Sequence, residues 1–102
     1  MPAYVIGARR TEKGHQNLKE FSAVLDRFKR VREANGGTLI QCYATFGRFD
    51  MVMVAEFPSG TAMQRAMTTM LSEGVFALEV FEAMPMTEFL AILKEEEQEH
   101  KV

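Results

Sequence analysis

Two strand-like segments of this chain are apolar on both faces, and nothing else in the sequence restricts the fold as much. In an extended conformation Phe49, Met51, Met53 and Ala55 share one face, and Val52 and Val54 the other. Further on, Phe76, Leu78 and Val80 are opposed by Val75, Ala77 and Phe81. A sheet covered by helices on one side alternates apolar with polar residues. Here both sides must be shielded from water. The chain has 102 residues, enough for one domain that buries roughly 65% of its unfolded surface.

The rest of the chain supplies two helices for that task. Tyr4-Val5-Ile6 reads as a first strand. Leu18, Phe21, Leu25, Phe28 and Val31, with Val24, form a helical stripe that Asn35-Gly36-Gly37 should close. Thr38–Phe46 and Asp50–Phe57 are strands two and three, joined by a hairpin at Gly47-Arg48. Ser59 is an N-cap for a second helix whose stripe is Met63, Ala66, Met67, Met70 and Leu71, ending at Gly74. Val75–Met84 is strand four. Pro85 opens a last helix with Phe89, Ile92 and Leu93 on its apolar side. The Glu-rich residues after Lys94 are expected to fray into solvent as an acidic tail, 95–102, behind a single domain at 1–94.

The order βαββαβ plus a terminal helix predicts an α+β, ferredoxin-like sandwich with a four-stranded antiparallel sheet. Two helices cover one sheet face only. The simplest cover for the other is a second copy of the same sheet, which predicts a homodimer. The alternative is a monomer whose C-terminal helix folds over that face.

Composition narrows the partners. The net charge of −2 provides no overall attraction to nucleic acid or to anionic membrane. The βαββαβ order is shared with RNA-recognition domains, but strand three offers Phe49, Met51 and Met53 where stacking aromatics are needed. No nucleic-acid or membrane partner is expected. The longest apolar run, Met51–Ala55, is far below the roughly 18 residues of a membrane helix. A single cysteine, Cys42, and a start without a signal-peptide pattern predict a reducing, cytoplasmic setting.

The segments Thr11-Glu12-Lys13-Gly14, Gly36-Gly37, Gly47-Arg48-Phe49-Asp50, Glu56-Phe57-Pro58 and Pro85…Glu88-Phe89 together resemble the GYD-domain family. The resemblance runs from Tyr4 to about Leu93. It implies a ferredoxin-like domain that dimerises into an α+β barrel, and it implies no reaction. The central tyrosine of the family motif is Phe49 here. Ala77 and Leu78 replace polar residues of strand four, and Ser22-Ala23 stands where relatives carry a proline.

Candidate site residues each admit two readings. Asp50, at the mouth of strand three, is the best catalytic candidate as a general base, or it accepts backbone N–H groups and fixes the turn. Tyr43 shares a strand face with Gln41, Leu39 and Thr45, and with Asp50 it can orient a ligand in an apolar pocket. It is equally suited to a dimer interface. Lys19 can pair with an anionic ligand or lie solvated, and His15 can transfer protons or do the same. Two histidines and one cysteine without metal spacing predict no metal site, no haem and no cofactor. Eight methionines suggest either soft-metal ligation, through Met51, Met53, Met84 and Met86, or flexible packing of core and interface. Packing accounts for more of them. Residues 1–35 carry eight Lys or Arg and four acids, and 36–102 four and ten. The basic cluster Arg27, Lys29, Arg30 and Arg32 is a docking surface or a solvated helix face.

The functional expectation is a small apolar organic molecule held between sheet and helices near Tyr43 and Asp50. A cofactor-independent isomerase or monooxygenase-like enzyme is the first alternative, by analogy with other barrels of this kind. A non-catalytic regulatory or interaction module is the second.

Overall fold

Alternation of buried and exposed side chains carries the first strand beyond its β-branched start, so that β1 covers Ala3–Arg10. The computed structural model describes residues 1–12 and 20–99. After β1 come α1 (Phe21–Ala34), β2 (Thr38–Ala44), β3 (Met51–Glu56), α2 (Gly60–Ser72), β4 (Phe76–Ala83) and α3 (Met86–Glu99). Helix ends follow local chemistry. Gly36 and Gly74 take positive φ just after α1 and α2, the conformation that closes a helix and that glycine adopts without strain. Ser59 caps α2 by accepting a 3.1 Å hydrogen bond from the Ala62 N–H.

The strands form one sheet in the order β2-β3-β1-β4, and every neighbouring pair is antiparallel. With α1 and α2 as crossovers, this is the ferredoxin-like α+β arrangement. Tyr4, Ile6 and Ala8 of β1, Met51, Met53 and Ala55 of β3, and Phe76 of β4 form the core with Val24 and Phe28 of α1 and Ala66, Met67 and Met70 of α2. Phe28 meets Phe76 edge to face at 6.2 Å, and Tyr4 meets Phe57 in the same way at 6.0 Å. Such pairs add about 0.5–1.5 kcal/mol to the area they bury.

Three expectations are corrected here. Met51 and Met53 do not lie at an interface on the free sheet face. Their partners in the ladder are Ala8 and Ile6, which face the helices, and paired residues of an antiparallel ladder share a face. The methionines therefore fill the gaps between sheet and helices. Nor does the C-terminal helix fold over the other face. Every residue from Met84 to Gln98 is exposed, and none of the described elements packs along α3. The helix also continues past Lys94 to Glu99, so residues 95–99 are helical, not frayed. No described helix is long and apolar enough to cross a membrane.

The face away from α1 and α2 is thus open. One row across it is Gln41, Val54, Val5 and Phe81, and the next is Tyr43, Val52, Gly7 and Glu79. Tyr43 and Phe81 are each 53% exposed.

Candidate functional site

The β2–β3 connection is held by several hydrogen bonds, and Asp50 sits at its end. The Asp50 N–H donates to the Ala8 carbonyl at 2.9 Å, and its carbonyl accepts from the Thr45 N–H at 2.9 Å. Thr45 Oγ1 also donates to the Phe49 carbonyl at 2.6 Å. The Asp50 carboxylate turns to β1. Its Oδ2 accepts the Arg10 backbone N–H at 2.8 Å and lies 3.7 Å from Arg10 Nε. The carboxylate thus extends the β1–β3 ladder by one charge-assisted bond beyond the last backbone pair.

Phe49, next to it, lies over the open face. A Cβ at Gly7 would come within 2.8 Å of the Phe49 ring, so only glycine lets the ring rest on the strand. Arg48 lies over that ring, its guanidinium carbon 5.6 Å from the centroid, and pairs with Glu79 of β4. Gly47 takes φ +136° at the tip, and Phe46 beside it is fully exposed.

Behind the turn is a recess of about 320 Å³ lined by Arg10, Phe21, Ala44, Thr45, Phe46 and Asp50. Arg10 Nε is buried and has no hydrogen-bond acceptor among the described residues. The sequence candidates do not gather here. Tyr43 and Gln41 point to the open face, opposite Val52 and Val54. A register shift between Leu39 and Gln41 places Leu39 opposite Ala55 on the helix side, so Leu39 no longer shares the face of Tyr43. His15 and Lys19 lie outside the described residues. The volume between sheet and helices is filled by the core side chains.

Two members of this site escaped the sequence reading. Arg10 follows Tyr4, Ile6 and Ala8 at the strand period of two, which could have extended β1 to it. Gly7 in the middle of a strand signals a close approach, and Phe49 makes it. Cys42 faces the helix side opposite Met53. Partial burial pushes its thiol pKa up, and the Arg32 charge opposes that in smaller measure. Among the described residues no group of three His, Cys, Asp or Glu is placed to hold a metal ion.

The family model described as GYD domain matches residues 4–93. The chain belongs to the GYD-domain family. The match includes the Gly47-Arg48-Phe49-Asp50 turn just described. Among curated proteins, the chain is 29% identical over 101 residues to the "glutamine synthetase and cystathionine beta-lyase binding protein" of Thermus thermophilus, covering 92% of this chain and 100% of that one. Solved structures share the fold at low identity. FFRP-DM1 aligns with TM-score 0.57 at 12% identity, over 82% of this chain and 100% of that one. TTHA0845 from Thermus thermophilus aligns with TM-score 0.51 at 19% identity, over 83% of this chain and 95% of that one. The C-terminal domain of MgtC from Mycobacterium tuberculosis aligns with TM-score 0.53 at 14% identity, over 80% of this chain and 86% of that one.

Proposed function

We propose that this GYD domain is a protein-binding module, working as a homodimer, that docks on metabolic enzymes. One observation carries the reading. The Thermus thermophilus relative is named for binding two enzymes, and this chain matches it over its entire length. The uncovered surface supports the dimer. Val5, Val52, Val54 and Phe81 form a contiguous apolar strip on a sheet face that no described helix covers, and exposed strips of this kind mark association surfaces. A second sheet packed on it face to face shields both. A cytoplasmic location, where such enzymes work, belongs to the same reading.

The test is calorimetric titration of the purified chain into glutamine synthetase and into cystathionine β-lyase from its own organism. Saturable binding to either, at micromolar Kd or tighter, is expected. Absence of saturable heat with both overturns the proposal.

A second reading is favoured by the recess beside Asp50. Its phenylalanines and Arg10, whose Nε reaches the Asp50 carboxylate only at 3.7 Å and lacks a hydrogen-bond acceptor among the described residues, suit a small apolar molecule with an acidic group. The Asp50 carboxylate already accepts the Arg10 N–H, and protonating it would weaken that charge-assisted bond, which favours binding over isomerase or oxygenase chemistry. Titration with benzoate should shift the amide resonances of Arg10, Thr45 and Phe46. Unmoved resonances at millimolar benzoate exclude it.

A further inference from the structure

The open sheet face is not the only uncovered apolar surface. Met86, Phe89, Leu90 and Leu93 recur at i, i+3, i+4 and i+7 along α3, with Ile92 beside them. Their exposures run from 43% for Leu93 to 66% for Met86. A free-standing helix of 14 residues is marginal in water, and most helices owe their stability to the packing of such a stripe. None of the other described elements supplies that packing. The Pro85 carbonyl accepts the Glu88 and Phe89 N–H groups, so the helix starts directly after strand β4 and leaves the sheet.

At the point of departure lies a groove of about 680 Å³, lined by Met1, Ala3, Ile40, Val54, Ala83 and Met84. Ala3, Val54 and Ala83 belong to the end of the open face nearest α3. Pro85 and Glu88 of the same copy form part of its wall, so the helix borders the groove without entering it. One chain thus carries an unseated apolar helix and an unfilled apolar groove whose geometry keeps them apart.

We propose that α3 is an exchanged arm: in the homodimer each copy seats the Phe89–Leu93 stripe of its partner in this groove. The inference rests on the dimer reading and deepens it. A two-fold axis makes the contact reciprocal, as isologous interfaces require. Apolar burial and not charge does the seating, since Glu56 and Glu82 line the groove and α3 carries Lys94 among five glutamates. The area suffices as well. With roughly 90 Å² exposed on each of Met86, Phe89, Leu90, Ile92, Leu93, Ile40 and Phe81, two copies bury roughly 1,300 Å², at the lower end of the range of stable dimers.

The experiment places the photo-crosslinker p-benzoyl-phenylalanine at position 93 of the full chain. Ultraviolet light should yield a covalent dimer whose linked peptides contain residues 1–5, 38–42, 52–56 or 79–85 of the second copy. A chain that sediments as a dimer but links only within one copy or at other positions overturns the arm and leaves the dimer standing. A monomer at tens of micromolar refutes both. As a second measurement, Phe89→Ser/Leu93→Ser should weaken dimerisation at least tenfold with unchanged circular dichroism. Dimerisation within threefold of wild type overturns the proposal.

Discussion

Replacing Asp50 by alanine separates a structural carboxylate from a chemical one. The side chain accepts the Arg10 N–H at 2.8 Å, and hydrogen bonds to charged groups contribute about 1.5–3 kcal/mol. The ion pair with Arg10 is long, at 3.7 Å, and both side chains keep 23–30% of their surface exposed, so it adds only a few tenths. Loss of both leaves the Arg10 N–H without its acceptor at a half-buried position. We expect Asp50→Ala to cost about 2 kcal/mol, or roughly 10 °C in Tm for a domain of this size. Asp50→Asn retains an acceptor oxygen without the charge and should cost about 1 kcal/mol or less. Urea unfolding followed by circular dichroism measures both, with the m-value unchanged if only the native state is affected. An Asp50→Ala variant within about 0.5 kcal/mol of wild type would refute the role assigned to this carboxylate.

Gly7→Ala drives a methyl into the Phe49 ring at 2.8 Å and should destabilise by about 1–3 kcal/mol. Adding Phe49→Ala should recover part of that loss in a double-mutant cycle, and strict additivity would show that the two residues do not touch. Met53→Ala opens a cavity in the core and should cost about 2–5 kcal/mol. Val52→Thr, one residue away on the open face, should leave the monomer within about 0.5 kcal/mol. Equal costs in denaturant titrations would contradict the facing given to β3. The Cys42 thiol, raised above its ordinary 9.0, should reach half-maximal alkylation by iodoacetamide above that pH. Because the folded state holds this proton more tightly than the unfolded state, the thiol's contribution to stability is complete below pH 9 and is lost as pH rises through the folded value. Arg32→Ala should move the alkylation midpoint higher still, and a lower midpoint would contradict the Coulombic role of Arg32.

Much of this fold was legible in the sequence because its signals are local. Ser59 as cap, Gly36 and Gly74 as stops, and the Met63–Met70 stripe each depend on a few neighbouring residues. The side of β3 that faces the helices was not legible, because Met51/Met53 and Val52/Val54 are both apolar, and only pairing with Ile6 and Ala8 decides between them. The position of Tyr43 relative to Asp50 depended on the same choice and on the register shift at Leu39. Arg10 was hidden by its charge, which resembled the start of a loop. Sequence did record that more apolar surface exists than two helices can cover. The structure locates that surplus in Val5, Val52, Val54, Phe81 and the stripe of α3.

The central claim is that a second copy of the chain covers this surplus. Sedimentation velocity of the wild-type chain and of Val54→Glu at tens of micromolar tests it most directly. The account predicts a wild type at twice the 11.6 kDa chain mass and a folded, monomeric Val54→Glu. A wild type that sediments at 11.6 kDa, or a Val54→Glu variant that remains fully dimeric, contradicts it.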